Sequence, residues 1–377
     1  MRVLVKREAI IFLTLVAILF GLPLVGLKLA GIPLAGVLEF PPRTRHVAHA
    51  AFSWPVFMAC TGLIGAAVFP LVRTGWRALR RYGLGPAPLG PLPWWGIAAM
   101  AAGALSWLLA WTRFDWFARL QPHTFLPLWL NYIVAVNAMT YRRRGACLLT
   151  HRPGRMAGLF AASALFWWFF EYLNRFVENW YYQGAEYGPA MYAVLATGSF
   201  STVLPAVLST REWILTYDLF CRGWASWPAM SVDHSRTPAA LGLILAGAGL
   251  TAVGRWPDWF FPLVWVAPLI VVVALQALFG ASPLLSDLAT GNWGPWVAAA
   301  AAALWCGFFW EMWNVGSLVG WAYSIPYVHG GQIFAMPVLG YAGYLPFGLE
   351  CAVIGQMLLG TAPTDARRPV QGRRVEA

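Results

Sequence analysis

Residues 9–27 read AIIFLTLVAILFGLPLVGL, an apolar run with no charged side chain. A helix needs about 20 such residues to cross a bilayer. Inside lipid its backbone groups must be satisfied within the segment. Comparable runs recur to the end of the chain, which excludes a soluble domain on a single anchor. A transmembrane β-barrel would instead show short segments of alternating polarity.

Composition agrees: 59% of the 377 residues are hydrophobic and 11% charged, against roughly 25% charged in soluble domains. The runs predict an all-α, polytopic transmembrane helix bundle of about ten spans, near residues 9–27, 48–72, 93–112, 124–141, 156–182, 189–208, 238–254, 259–280, 295–319 and 335–359. Residues 1–360 then form a single membrane domain, with 361–377 a disordered cytoplasmic tail. The basic start MRVLVKR before the first run reads as an uncleaved signal-anchor.

The net charge of +11 reports topology rather than nucleic acid. With the N-terminus inside, the clusters Arg73/Arg77/Arg80/Arg81, Arg142/Arg143/Arg144 and Arg367/Arg368/Arg373/Arg374 all fall on the inner side. The expected location is the cell membrane, multi-pass, with both termini cytoplasmic. Membrane lipids and a hydrophobic small molecule are the expected partners. Residues 211–228 place Trp213, Tyr217, Phe220 and Trp224 on one helical face, opposite Arg211, Asp218 and Arg222. That pattern predicts an amphipathic helix on the inner membrane surface. Five cysteines avoid the predicted outer loops and have no zinc-finger spacing, so free thiols packed as small apolar residues are expected.

Two stretches resemble each other. FFEYLN is followed by Trp180-Tyr181-Tyr182 and Leu204-Pro205; FWEMWN is followed by Trp321-Ala322-Tyr323 and Leu345-Pro346. This alignment pairs Glu171 with Glu311 and Asn174 with Asn314. It implies an internal repeat over roughly 124–208 and 259–359. The fifth and ninth spans would run the same way, making the copies parallel about the membrane normal. The two glutamates then lie at similar depth, between midplane and outer surface, facing one cavity.

Ionisable groups inside spans are costly and mark functional or paired positions. Glu171, Asn174, Arg175 and Glu178 form one helical stripe. The second stretch keeps Glu311 and Asn314 but carries Val315 and Leu318 in place of Arg175 and Glu178. One carboxyl beside a cation and one without lets acid and base roles divide. Glu350 is a further intramembrane carboxyl. Twenty-three tryptophans are present, and Trp167, Trp168, Trp305, Trp310 and Trp313 lie within two turns of the paired glutamates. Aromatic faces around an acid can stabilise a cation and wall an apolar chain.

His46, His49, His123 and His329 fall on the predicted outer side, with His46 and His49 one helical turn apart. They are candidate metal or haem ligands, although no ligand motif supports them and the sequence specifies no cofactor. Gly307 and the pair Gly316/Gly320 suit close helix approach. GYAGYLPFG around Pro346 predicts a kinked last span.

The expected function is an enzyme acting on a lipid or isoprenoid-like substrate. Glu171 and Glu311 would be its acid/base pair, oriented by Asn174 and Asn314, with Arg175, Trp167, Trp310 and Glu350 binding substrate. The alternatives are a proton- or ion-coupled transporter using the same glutamates, and a haem- or metal-binding redox subunit.

Overall fold

The computed structural model describes residues 10–42, 44–85, 88, 90–184, 186–230, 236–279 and 287–359. The basic start, the 361–377 tail with its arginines and His234 lie outside the described residues. The main helices are α1 (Ile10–Leu29), α2 (Trp54–Tyr82), α3 (Trp94–Trp111), α4 (Phe125–Arg144), α5 (Pro153–Val177), α6 (Pro189–Phe200), α7 (Val203–Ile214), α8 (Arg236–Val253), α9 (Ala267–Leu278), α10 (Gly294–Gly316) and α11 (Tyr344–Leu359). Two antiparallel two-stranded ladders complete the fold: β1 (Trp180–Gln183) with β2 (Gly320–Tyr323), and β3 (Gln332–Ile333) with β4 (Met336–Pro337).

Among the described residues, 7 helical segments are long and apolar enough to cross a membrane, and this reads as a multi-pass membrane protein. They are α1, α2, α3, α5, Pro189–Ile214 (α6 with α7), α8 and Val338–Leu358. An eighth arises if Pro257–Trp265 and α9, which meet at 53°, form one bent span. The expected ten is therefore too many by this measure. Helices occupy the remaining two positions, α4 and α10, but they are too polar to qualify. α4 carries Asn131, Asn137 and Thr140, and α10 carries Glu311 and Asn314. The physical reason is their place in the bundle. α4 packs on α3 and α7, while α10 packs on α7 and α11. Trp129 and Ala298, Ala299, Ala302 and Ala303 are fully buried. A helix wrapped by protein need not be apolar on every side.

Several expected boundaries also move. The segment 48–53 is not helical, and α2 starts at Trp54 with Pro55 in its first turn. His46 and His49 therefore do not share a helical face. Spans expected to 182 and 319 end at Val177 and Gly316, because the chain turns there into β1 and β2. The last span does not start at 335: 3₁₀ turns at Val338–Gly343 lead into α11. Pro346 lies in the first turn of α11, where its missing N–H breaks no helical bond, so it makes no mid-span kink.

The expected interfacial helix over 211–228 is divided. α7 ends at Ile214, and only Asp218–Arg222 is helical again. Arginines at the end of α4 hold the break. Arg144 donates to the Leu215 carbonyl, and Arg143 Nε donates to Thr216 Oγ1 at 2.8 Å with its guanidinium 4.0 Å from the Tyr217 ring. Trp224 is buried against Phe220 rather than facing a membrane surface.

Cys147, Cys306 and Cys351 are buried and Cys60 is half-buried, whereas Cys221 is exposed, unlike the packing expected for it. In detergent, a small maleimide is expected to label Cys221 first and to reach Cys306 and Cys351 only after denaturation. Fast labelling of Cys306 in the folded protein would contradict this packing.

Candidate functional site

The site is built by two helix ends that turn into paired strands. α5 is broken at Glu178, which adopts the left-handed conformation (φ 45°). Asn174 then holds the following chain. Its Oδ1 accepts from Asn179 N at 2.9 Å, and its Nδ2 donates to the Trp180 carbonyl at 2.8 Å. At the end of α10, Asn314 Oδ1 accepts from Trp321 N and its Nδ2 donates to the Trp321 carbonyl, both at 2.7 Å. Neither asparagine hydrogen-bonds a glutamate through its side-chain amide. Each spends its amide on backbone, as side-chain mimics of strand pairing do, so the expected orienting role is indirect.

Alternate residues of a strand share one face. Trp180 pairs with Tyr323, and Tyr182 pairs with Trp321. These four aromatics therefore project from the same face of the β1–β2 ladder. Both glutamates meet that face. Glu171 Oε1 accepts from Tyr182 Oη (2.6 Å), Trp180 Nε1 (3.1 Å) and Trp167 Nε1 (3.1 Å). Glu311 Oε1 accepts from Tyr323 Oη (2.6 Å) and Tyr344 Oη (2.8 Å), with Trp321 Nε1 donating to Tyr323 Oη at 2.7 Å. Both glutamates are 0% exposed, and in each the second oxygen, Oε2, has no partner among the described residues.

One aromatic layer joins the two carboxyls. Phe347, fully buried, lies 5.8 Å from Trp167 and 6.4 Å from Trp310 between ring centroids. Trp310 stacks on Tyr344 and packs 4.8 Å from Trp129. Gly307 makes room for this layer. A Cβ there would collide with the Tyr344 ring. Trp111 likewise occupies the space beside Gly316, and Asn314 Oδ1 that beside Gly320, so these glycines admit side chains rather than a second helix backbone. Gly307→Leu is expected to displace Tyr344 from Glu311 and cost about 1–3 kcal/mol, read as a lower thermal midpoint. An unchanged midpoint would contradict the contact.

The other expected residues fall around this centre. Arg175 makes no ion pair with Glu171 or Glu178; its Nη1 donates to the Val37 carbonyl and its Nε has no partner. Glu178 instead pairs with Arg45 at 3.8 Å. Glu350 is 3% exposed and has a different partner. Its Oε1 accepts from Leu269 N at 3.2 Å, and so caps α9 just after the 53° bend.

The histidines have separate partners. His49 lies 2.7 Å from Asp258 and 3.3 Å from the Glu178 carbonyl; His46 meets the Tyr181 ring, His123 the Tyr187 ring, and His329 the Ile325 carbonyl. Among the described residues no three His, Cys, Asp or Glu side chains gather as a metal site, and the four histidines are not brought together. His46 and His49 lie in a segment fastened beside the site. Tyr182 N donates to Thr44 Oγ1, Ser324 Oγ to the Val47 carbonyl, and Ala50 N to Asp258 Oδ2, which fastens residues 44–53 along the ladder.

Tyr182, Tyr323, Trp180 and Tyr344 are the contacts that sequence reasoning left without a role. The signal for three of them was already there, in the Trp-x-Tyr that follows each glutamate. Tyr344 carried no such mark, because it reaches Glu311 from another helix. No known family, characterised protein or solved structure matches this chain. Its function must be read from the site.

Proposed function

We propose that this protein is a membrane-embedded enzyme acting on a lipid or isoprenoid-like substrate, with Glu171 and Glu311 as its acid/base pair. The observation that carries the reading is the state of the two carboxyls. Each is fully buried, held on Oε1 by tyrosine and tryptophan donors, and left with Oε2 unbonded. An oxygen fixed in place and without a partner is free to give or take a proton at a substrate atom. Glu311 has no cation in contact and serves as the acid. Glu171, one turn from Arg175, serves as the base. The surrounding rings offer an apolar wall and can stabilise positive charge developing on a hydrocarbon.

The two glutamate units are read as copies of one ancestral element. Each has Glu-x-x-Asn at a helix end, an asparagine holding a tryptophan backbone and a tyrosine bonded to the glutamate. The ladder register supports this reading, since Trp180 opposite Tyr323 and Tyr182 opposite Trp321 exchange under a local two-fold.

The test is turnover in detergent. Purified protein is incubated with lipid and isoprenoid extracts, and new product masses are followed without any membrane gradient. Product formation that Glu311→Gln abolishes supports the enzyme. The bent span capped by Glu350 favours a second reading, a proton-coupled transporter, because broken helices often build transporter sites. Gradient-driven uptake of unmodified substrate into vesicles, with no product in detergent, would replace the first reading by the second.

A further inference from the structure

Among the described residues, three polar side-chain atoms of Glu171 and its neighbourhood are buried without hydrogen-bond partners: Glu171 Oε2, Arg175 Nε and Tyr192 Oη. Buried polar groups are almost always paired, so an unpaired cluster calls for a ligand. Glu171 and Arg175 are one helical turn apart on α5. Tyr192, on α6, has its ring 6.4 Å from Tyr182, whose hydroxyl binds Glu171, and 6.5 Å from Trp168. Arg175 acts electrostatically on both Glu171 and Tyr192.

The donors and acceptors define the chemistry. Arg175 Nε and Tyr192 Oη each have a hydrogen to give, and Glu171 Oε2 has lone pairs to accept. A single hydroxyl oxygen can accept two hydrogen bonds and donate one, the complement of this set of two donors and one acceptor. A phosphate would add negative charge beside Glu171 and Glu39, the carboxyls that already act on Arg175. An ammonium would face the guanidinium.

We infer that Glu171, Arg175 and Tyr192 form a subsite for a hydroxyl group, brought either by an alcohol-bearing lipid substrate or by water. It rests on the reading of Glu171 as an acid/base residue and defines what that residue meets. The subsite belongs to the first glutamate alone. The second has Val315 and Leu318 where the first has Arg175 and Glu178, and Val315 is 53% exposed. The approach is apolar: Phe40, 68% exposed, packs 5.1 Å from Trp168, which in turn borders Tyr192. A hydroxyl inside with a hydrocarbon chain leaving past Phe40 and Trp168 fits this arrangement.

Binding, not turnover, tests the subsite, so its failure is separable from failure of the enzyme reading. Farnesol and farnesene, which share a chain and differ at the hydroxyl, are titrated into the detergent-purified protein and bound masses are counted by native mass spectrometry. The wild type is expected to prefer farnesol by about tenfold. Tyr192→Phe, which keeps the ring, should remove most of that preference. Tyr187→Phe is the control, because its hydroxyl also lacks a partner but its ring lies against His123. Should farnesol show no preference, infrared spectra assign the water source. A hydroxyl-stretch band that shifts in ¹⁸O-water and is lost in Tyr192→Phe places water on these atoms. Equal binding of the two probes with no such band would overturn the inference, even if Glu171→Gln still abolished turnover.

Discussion

Glu311→Gln is expected to lower turnover at least about 100-fold, the usual lower bound for losing a general acid, while the protein stays folded. The amide keeps the shape of the carboxyl, and its carbonyl still accepts from Tyr323 and Tyr344. What it loses is the proton at Oε2. The stability change should stay near 1 kcal/mol, since the new N–H groups occupy a place where Oε2 already had no partner. Glu311→Leu provides the contrast. It strands two buried tyrosine hydroxyls, each costing about 1–3 kcal/mol, so this variant should lose stability as well as activity. Product formation by mass spectrometry and thermal unfolding in detergent separate the two variants. Full turnover in folded Glu311→Gln would remove Glu311 from the chemistry.

The second large effect belongs to the asparagines. Asn314→Ala removes two short hydrogen bonds to Trp321 and leaves that residue's N–H and carbonyl without the amide that pairs them. At about 1–3 kcal/mol for each of the two buried groups left unpaired, the expected cost is roughly 2–6 kcal/mol. Asn174→Ala should behave alike, because its amide serves Asn179 and Trp180 in the same manner. Activity should fall too, as β1 and β2 carry the donors for both glutamates. Asn131→Ala is the control. Its amide only reaches the Pro127 carbonyl in its own helix, and less than about 1 kcal/mol should be lost. Thermal midpoints of the three variants decide the matter. Equal midpoints for Asn314→Ala and Asn131→Ala would show that the helix-to-strand turn does not depend on the amide.

The membrane class was legible because hydrophobicity is additive along the chain and no soluble core could absorb runs such as 9–27. Glu171 and Glu311, each with a Trp-x-Tyr after it, stood out because both stretches can be read directly in the sequence. Three other matters depended on contacts between distant segments. α4 and α10 looked like ordinary spans, yet their polarity is tolerated because α3, α7 and α11 cover them. The amphipathic stretch 211–228 had the right periodicity, but Arg143 and Arg144, reaching from α4, break it. The spacing of His46 and His49 suits one helical face, but the stretch is not helical and is tied instead to Asp258 and the ladder.

By itself, then, the amino-acid order determined a helical membrane protein and marked the two buried acids, since burial cost and periodicity act locally. Tertiary structure alone decided that both acids meet one face of a strand pair, that Tyr344 completes the second, and that Arg175 Nε and Tyr192 Oη have no partner among the described residues. Those facts depend on which helices pack together, and no spacing along a single chain encodes the distance between residues on different helices.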